Sequence, residues 1–354
     1  MCKEFCSGNS VIARGDETLS VRVKQTNGDS AVPWPAIIHK EMLDVEQHLA
    51  DIISSNVPAI FQIAEHLLSA GGKRLRPGLV ALAAKAAGGN YDYERVVKVG
   101  AATELIHMAT LVHDDVIDQT TVRRGRATVN SYWGNKISVL SGDHLLSKAV
   151  WILSCDGDID ILETIASMTV ALSESEVLQA VCEGDILLWR RHYLEIVRGK
   201  TASFLAACCK SGAIISGAST DVQEALYNFG MQLGIAFQIT DDLLDIAGSP
   251  SVTGKHLGTD IREGKYTLPL LILLDNASSD VRDSLLKIIT KGSISDADIA
   301  TICETAHSTG AVQKAQESAA SYVAKAIESI SSLDAGDARL ALESVATGIV
   351  RRNS

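Results

Sequence analysis

The chain contains no proline between Pro77 and Pro250, and this stretch is rich in Ala, Leu, Ile and Glu. Proline breaks helices whereas those four residues are common in them, so a stretch of this length predicts consecutive long helices. Apolar residues recur at the three- and four-residue steps of an amphipathic helix, both here and earlier in the chain. The segments with this period are residues 37–68, 79–87, 96–117, 159–178, 193–215 and 222–246. Because no alternating strand pattern of comparable strength occurs, we predict an all-α fold.

Turn-forming residues separate the predicted helices without marking a boundary between domains. They occur at residues 71–72, 88–90, 156–158, 248–250 and 334–336. Since no linker-like composition interrupts residues 33–354, we predict a single helical domain over this range. Residues 1–32 mix acids and bases with Gly, Ser and Asn and contain no continuous apolar run. They predict a mobile N-terminal tail and not a signal or transit peptide.

The formal net charge of −11 argues against a nucleic-acid partner, because proteins that bind the phosphate backbone usually carry a basic surplus. Any anionic substrate must therefore meet locally concentrated Lys and Arg. The seven cysteines are odd in number and show no paired C-x-x-C spacing, which predicts reduced thiols in a cytoplasmic protein. No apolar run approaches the ~18 residues of a membrane span.

One acidic motif occurs twice, as Asp-Asp-Val-Ile-Asp at residues 114–118 and as Asp-Asp-Leu-Leu-Asp at residues 241–245. Its first and last carboxylates share one face of a helix and repel each other. Each copy lies near the predicted C-terminal end of its helix, where the helix dipole adds negative potential. A solvated acidic face explains either copy alone. Two such ends facing each other require hard cations between them, which predicts a Mg²⁺ site.

Basic residues lie beside glycine breaks or next to the acidic motifs. Each one alone is explained as a solvated surface charge, but together they predict two anion pockets beside the metal site. The segments concerned are Gly71–Pro77, Arg123–Gly125, Lys200-Thr201 and the stretch from Gly254 to Lys265. His107 precedes Asp114 by seven residues on nearly the same helical face. It is either a phosphate donor or a core histidine.

Five ordered motifs make the chain resemble the trans-isoprenyl diphosphate synthases, and within them the long-chain polyprenyl branch, over residues 37–352. The motifs are GGKRLRP from Gly71, ELIHMATLVHDDVIDQTTVRRG from Glu104, GKTASF from Gly199, GIAFQITDDLLD from Gly234 and GKHLGTDIREGKYTLP from Gly254. The resemblance implies a large helical bundle around a deep central cavity, and a homodimer. The substrates it implies are isopentenyl diphosphate and an allylic diphosphate.

The resemblance also implies roles for individual residues. Asp114, Asp118 and Asp241 would bind roughly two or three Mg²⁺ ions. The catalytic residues would be Asp114, Asp115, Asp118, Asp241, Asp242, Asp245 and Lys200. Isopentenyl diphosphate would be held by Lys73, Arg76, His107 and Arg124. The allylic diphosphate would be held by Arg123, Lys200, Thr201, Gln238, Lys255 and Lys265. A loop within residues 248–264 would close over the reaction and exclude water.

Two small residues upstream of the first acidic motif bear on product length. Short-chain members of the family carry bulky aromatic residues where this chain has Ala109 and Thr110, which favours a medium- or long-chain product. Ordinary helix packing is the other explanation of both residues. The chain departs from the family at Ser175, where Gly is common before Glu-x-x-Gln, and at Met108, where a small or hydroxyl residue is usual.

Three other functions compete with that of a long-chain synthase. A short-chain geranylgeranyl or farnesyl diphosphate synthase differs only in cavity depth. A noncatalytic regulatory subunit generally lacks one acidic motif or the basic residues, and all of them are present here. A terpene cyclase carries an Asn/Ser/Glu metal motif in place of the second acidic motif. No membrane segment is expected, although a long lipid product would need transient membrane contact for its release.

Overall fold

The computed structural model describes residues 34–88, 90–123, 125–248 and 257–351. The predicted N-terminal tail lies outside these residues. The helices are α1 Trp34–Ile37, α2 His39–Ile52, α3 Pro58–Ser69, α4 Leu75–Ala86, α5 Tyr93–Ile117, α6 Val129–Asp156, α7 Ile159–Cys182, α8 Ile186–Val197, α9 Ser203–Ile215, α10 Thr220–Ala247, α11 Thr259–Arg262, α12 Leu268–Asn276, α13 Ser279–Ile289, α14 Asp296–Ser308, α15 Ala311–Ser329 and α16 Asp337–Val350. A π-helical turn, Arg198–Ala202, joins α8 to α9. None of the described helices is long and apolar enough to cross a bilayer.

The all-α prediction is confirmed, with several local differences. The segment predicted as one helical pattern over 37–68 is divided, and Pro58 opens α3 at a position that suits proline. The predicted segments end at residue 246, so α11 to α16 have no counterpart among them. Neither has the long helix α6. Its apolar residues point several ways, since Leu145 and Leu153 are buried while Leu140 and Trp151 are exposed. A helix that is apolar on several faces has no single amphipathic stripe to detect.

A short hairpin was also missed. Strands β1 Val122–Arg123 and β2 Arg126–Ala127 pair antiparallel, with Val122 opposite Ala127. Gly125 in the connecting turn has a φ of 75°, a conformation that favours glycine. Strands of two residues are too short to produce an alternating pattern, so the sequence could not reveal them.

Helix α9 forms the centre of the bundle and packs against α4, α5, α7 and α10. Every residue of α9 except Lys210 is buried. Two glycines let α10 approach α9 and the π-helical turn closely. A Cβ on Gly230 would lie 2.5 Å from the Leu205 carbonyl oxygen, and one on Gly234 would lie 2.4 Å from Ala202 Cα. This close contact aligns the second acidic motif on α10 with Lys200 and Thr201 on the turn.

The π-helical turn itself is fitted against α7. A Cβ on Gly199 would lie 2.6 Å from Ser175 Cβ and 2.7 Å from the Ala171 carbonyl oxygen. Ser175, one of the two departures from the family pattern, is therefore accommodated by the absence of a side chain at Gly199. Single π-helical turns inside longer helices are common at functional sites. This one presents Lys200 and Thr201.

Candidate active site

The first acidic motif ends α5. Asp118 forms the C-cap, and its backbone N–H donates to the Asp114 carbonyl oxygen at 2.8 Å. Asp115 is only 3% exposed, and its Oδ1 accepts a hydrogen bond from Arg123 Nε at 2.8 Å. The buried carboxylate thus fixes an arginine that the family resemblance assigns to the allylic diphosphate. Asn130 of α6 also binds this end of α5, because its Nδ2 donates to the Asp115 carbonyl oxygen at 3.0 Å.

The three carboxylates of the second acidic motif differ in their exposure and in their hydrogen bonds. Asp241 is exposed, which leaves its carboxylate accessible to a ligand. Asp242 is buried and accepts hydrogen bonds from Tyr193 Oη at 2.6 Å and from Gln238 Nε2 at 2.9 Å. Asp245 accepts from the backbone N–H groups of Thr259 at 3.0 Å and Asp260 at 3.1 Å. Asp245 therefore fastens the start of α11 to the end of α10.

Lys265 connects the two acidic ends. Its Nζ lies 3.1 Å from Asp118 Oδ1 on the first motif. Its backbone N–H donates to the carbonyl oxygen of Asp260 at 2.8 Å, and Asp260 is itself bound to Asp245 of the second motif. The Lys265 side chain is 12% exposed and also contacts Glu263 at 2.8 Å. The residues from α5 and from the segment after α10 thus meet at one partly buried ammonium group.

Several carboxyl groups in this region lack sufficient countercharge. Burial raises the pKa of Asp114 to about 6, against the opposing effect of the Lys200 ammonium. Burial likewise raises the pKa of Asp242 to about 7, in spite of its hydrogen bonds to Tyr193 and Gln238. Burial and the neighbouring Asp245 raise the pKa of Asp260 well above its ordinary value. Additional cations would stabilise the ionised forms of all three groups.

The predicted metal ligands Asp114, Asp118 and Asp241 do not form a complete metal site in the structure. Within the described ranges, no three His, Cys, Asp or Glu side chains lie close enough together to hold a metal ion. Assignment of Asp114, Asp118 and Asp241 as the ligands therefore stays a prediction. The donor set does fit Mg²⁺ chemically, because it offers only carboxylate oxygens in a region with an excess of buried acid.

Lys200 on the π-helical turn contacts two residues of α7. Its Nζ lies 2.9 Å from Glu176 Oε1 and 3.4 Å from Gln179 Oε1. Both Lys200 and Glu176 influence the pKa of Asp114, so this ion pair lies beside the first acidic motif. The sequence singled out the Glu-x-x-Gln spacing only as a departure at Ser175. Glu176 and Gln179 are three positions apart and therefore share one face of a helix. This spacing is the signal that could have revealed them as partners of Lys200.

The glycine loop before α4 separates its three cations. Arg74 adopts a left-handed conformation with a φ of 47° and is 8% exposed. Its guanidinium turns inward to Glu46 at 2.6 Å and to Glu104 at 2.8 Å, which gives it a structural role. Lys73 stays exposed and Arg76 is partly exposed, so these two cations remain accessible to an anion.

Arg76 and His107 meet at one aromatic ring. The Arg76 guanidinium lies 4.6 Å from the centre of the Phe204 ring, and the His107 ring meets Phe204 edge-on at 6.5 Å. A pocket beside them opens between α3, α5 and the hairpin and is lined by His107, Asp115 and Arg123 among others. The structure therefore brings together members of the predicted isopentenyl diphosphate set with Arg123 of the allylic set.

The remaining predicted residues are placed as follows. Thr201 Oγ1 donates to Gln238 Oε1 at 2.8 Å. Ala109 is 2% exposed in the apolar core that also contains Met168 and Phe204. The hydroxyl of Thr110 donates to the His107 carbonyl oxygen at 2.8 Å. The predicted substrate ligands Arg124 and Lys255, and residues 249–256 of the predicted closing loop, lie outside the described residues.

Comparison with known proteins identifies the family. The model of the polyprenyl synthetase family matches residues 57–306. The chain belongs to this family. It is similar in structure to a decaprenyl diphosphate synthase from Rhodobacter capsulatus, with 34% identity, a TM-score of 0.85 and coverage of 91% of this chain and 98% of the other. A polyprenyl synthase from Caulobacter crescentus CB15, complexed with calcium and isoprenyl diphosphate, shows 36% identity, a TM-score of 0.86 and coverage of 93% and 100%.

A third relative is named as component 2 of the heptaprenyl diphosphate synthase of Geobacillus stearothermophilus. It is 35% identical over 318 residues, which cover 90% of this chain and 98% of that protein. The enzyme described here is a prenyltransferase of the polyprenyl synthetase family, and its fold is that of its relatives.

Proposed function

We propose that the enzyme condenses isopentenyl diphosphate head-to-tail onto an allylic diphosphate and releases an all-trans prenyl diphosphate of medium or long chain. The observation that carries the proposal is the position of Lys265, which reaches Asp118 of one acidic motif while its backbone is bound to the segment fastened by Asp245 of the other. Two acidic helix ends that are linked through one lysine residue suit a ligand that brings both metal ions and a diphosphate. The relative from Caulobacter crescentus was crystallised with ligands of this kind.

The cations form two groups that suit two diphosphates. Arg123, Lys200 and Lys265 each contact a carboxylate of the acidic region or a close neighbour of it, and we assign them to the allylic diphosphate. Lys73, Arg76 and His107 lie at the glycine loop and the Phe204 ring, and we assign them to isopentenyl diphosphate. The family resemblance alone assigns Arg124 to the isopentenyl diphosphate group and Lys255 to the allylic diphosphate group.

Asp114, Asp118 and Asp241 would hold the Mg²⁺ ions. Bound ions supply Lewis-acid stabilisation of the negative charge that develops on the departing diphosphate. Arg123, Lys200 and Lys265 add fixed positive charge to the same end of the substrate. Because these side chains are already held by carboxylates, they need little reorganisation when the allylic C–O bond breaks.

The allylic cation formed by that bond cleavage must be protected from water. The apolar core beneath the acidic motifs meets this need, since Met108, Ala109, Met168 and Phe204 are all at most 4% exposed. The double bond of isopentenyl diphosphate then attacks the cation, and a proton is lost from the adduct. We assign the departing diphosphate as the base that accepts this proton, and the scheme requires no covalent bond to the enzyme.

The purified chain, incubated alone with an allylic diphosphate, isopentenyl diphosphate and Mg²⁺, tests this function. We expect release of inorganic diphosphate together with extended prenyl products that chromatography separates by length. Release without extension would indicate hydrolysis or cyclisation instead. No release with several allylic starters would contradict the proposal.

A second candidate is that the chain is one component of a two-chain synthase. The name of the Geobacillus stearothermophilus relative, component 2, favours this alternative. All described residues of both acidic motifs are present, so we place the chemistry in this chain in either case. Activity that appears only when extract from the source cells is added, and that is lost with Asp114→Ala, would support the two-chain form.

Lys73→Ala should raise the KM for isopentenyl diphosphate about tenfold and the KM for the allylic diphosphate by less than about twofold. Lys73 is exposed on the glycine loop, and we assign it to isopentenyl diphosphate and not to the allylic set. Steady-state kinetics with each substrate varied in turn measures both constants. Lys287→Ala, on the exposed face of α13, is the matched control and should change neither. Equal increases in both constants would refute the division into two pockets.

We further propose that two copies of the chain associate through α6 and α7. These helices expose large apolar residues, namely Val139, Leu140, Val150, Trp151, Ile159, Val170, Val177 and Val181. Exposed apolar surface of this extent is typical of an interface. Because α6 packs against α5, a second copy seated there would also support the helix that carries the first acidic motif.

Sedimentation equilibrium should therefore give twice the chain mass of 37.7 kDa. Leu140→Asp places a charge in the proposed interface and should shift the mass to that of one chain. Leu43→Asp is the matched control, because Leu43 is 47% exposed against 54% for Leu140 but lies on α2. A dimer that persists in Leu140→Asp would show that the interface lies elsewhere.

We also propose that the enzyme works in the cytoplasm and meets a membrane only to release its product. Among the described residues, the buried Cys182, Cys208, Cys209 and Cys303 are reduced thiols, which suits a reducing compartment.

A further inference from the structure

Arg126 lines the pocket between α3, α5 and the hairpin, and no carboxylate of the described residues pairs with it. The other Lys, Arg, Asp and Glu side chains of the lining contact one another. Arg74 Nη1 lies 2.8 Å from Glu104 Oε1. Arg123 Nε lies 2.8 Å from Asp115 Oδ1. Arg126 is therefore the charged side chain of the lining that stays available to an anion.

The guanidinium of Arg126 is held in place by a neutral partner. Its Nη1 donates to Ser69 Oγ at 2.9 Å, and the Ser69 hydroxyl donates its own proton to the His66 carbonyl oxygen at 2.9 Å. A guanidinium carries five N–H donors, so one bond to a hydroxyl leaves donors for a ligand. Ser69 ends α3, and Gly71 of the glycine loop lines the same pocket. The bond to Ser69 thus holds the guanidinium on the side of the glycine loop.

The register of the hairpin places Arg126 directly opposite Arg123. Opposed side chains of an antiparallel pair lie on one face with their Cβ atoms about 5 Å apart, and like charges at that distance repel. The two guanidinium groups bind different partners, Arg123 at the first acidic motif and Arg126 at the end of α3. An anion bound in the pocket that both arginines line would offset the remaining repulsion.

We propose that Arg126 is a further ligand of isopentenyl diphosphate. It joins Lys73, Arg76 and His107, which the family resemblance assigns to this substrate. His107 lines the same pocket, and a guanidinium fork matches the paired oxygens of a phosphate group. The hairpin thereby serves both substrates, because Arg123 is assigned to the allylic diphosphate. The inference rests on the proposed function, since it takes isopentenyl diphosphate to be the anion of this pocket.

Arg126→Gln removes the charge, keeps a polar side chain and tests the proposal in steady-state kinetics. We expect the KM for isopentenyl diphosphate to rise about tenfold, while kcat and the KM for the allylic diphosphate stay within about twofold. Arg126→Lys keeps the charge without the fork and should raise the same KM about fourfold. Arg191→Gln is the matched control, because it removes an exposed arginine from α8, and it should change no constant. An unchanged KM for isopentenyl diphosphate in Arg126→Gln would overturn the proposal.

The competing explanation is that Arg126 only fastens the hairpin to α3. A second bond serves that purpose and remains in Arg126→Gln, since His66 Nε2 donates to the Ala127 carbonyl oxygen at 2.9 Å. Ser69→Ala removes the neutral partner and keeps the guanidinium, so it should raise the KM for isopentenyl diphosphate by less than about twofold. Equal increases in Ser69→Ala and Arg126→Gln, or an equal rise in the allylic KM, would overturn the proposal. If Arg126→Gln does not fold, Arg126→Lys compared with Ser69→Ala gives the same test.

A binding measurement tests the inference without turnover and so separates it from the proposed function. Calorimetry follows the binding of isopentenyl diphosphate in the presence of Mg²⁺ and an allylic thiolodiphosphate, whose sulfur bridge resists ionisation. Arg126→Gln should bind isopentenyl diphosphate about tenfold more weakly than wild type. A wild-type enzyme that is inactive in the condensation assay but shows this difference would refute the function and retain the inference. Equal affinity in both proteins, or no binding to either, would overturn the inference.

Discussion

Asp114→Ala and Asp241→Ala should each abolish turnover while leaving the helical circular dichroism nearly unchanged. Both carboxylates are proposed to hold Mg²⁺, and among the described residues neither side chain forms a hydrogen bond or ion pair whose loss would weaken the fold. Loss of a metal ligand removes stabilisation of the charge on the departing diphosphate. We expect a fall in kcat of at least about a thousandfold, which corresponds to ~4 kcal/mol of lost transition-state stabilisation.

The control for this experiment is Asp283→Ala, which removes an exposed carboxylate from α13 and should leave the rate unchanged. A second measurement asks whether the two aspartates bind metal. Mg²⁺ added with inorganic diphosphate should raise the melting temperature of wild type, because a ligand that binds only the folded state stabilises it. This increase should disappear in both variants. Full activity in either variant would contradict the assignment of that aspartate.

Ala109→Phe should shorten the product by several isoprene units. Ala109 is buried in the core beneath the first acidic motif, and a phenyl ring there would occupy space that a growing prenyl chain needs. Chromatography of the products after exhaustive reaction measures their length directly. We expect the largest change in this experiment to be in the product distribution and not in the rate of the first condensation, because the diphosphate contacts are unaffected.

Two companions make the result decisive. Ala109→Ser keeps the side chain small and should leave the product unchanged. Thr110→Phe tests the neighbouring position, whose hydroxyl now donates to the His107 carbonyl oxygen. A ring forced into a packed core costs ~1–3 kcal/mol of folding free energy, so melting temperatures are needed alongside the product analysis. Unchanged products in folded Ala109→Phe and Thr110→Phe would place the end of the cavity elsewhere.

Prediction from the sequence succeeded where a local signal decides the structure. The ends of α5 and α10 fall where the two acidic motifs and the following turns indicated. Prediction failed for α6, whose exposed Leu140 and Trp151 blur its period, and for a hairpin of two-residue strands. In both cases no local amphipathic pattern is present, because α6 is apolar on several faces and the strands of the hairpin have only two residues each.

The candidate active site likewise has features that the sequence indicated and features that only the structure reveals. Residue types and spacing singled out both acidic motifs and most of the surrounding cations. They did not reveal that Arg74 turns inward to Glu46 and Glu104 while its neighbour Lys73 stays exposed. They also did not reveal Glu176 as the partner of Lys200. A sequence does not show which side chain of a basic cluster faces inward. In the structure, Arg74 has a left-handed backbone conformation and is the cation that faces inward.

By itself, the sequence determined the helical class, the family and the carboxylates that we propose for the chemistry, because helix period and the repeated acidic motif are local along the chain. The tertiary structure alone decided which groups meet. Lys265 reaches Asp118 across 147 positions of the chain, and Tyr193 reaches Asp242 across 49. Such contacts depend on how closely α10 packs on α9 through Gly230 and Gly234, and close packing over long sequence separations leaves no periodic trace in the sequence.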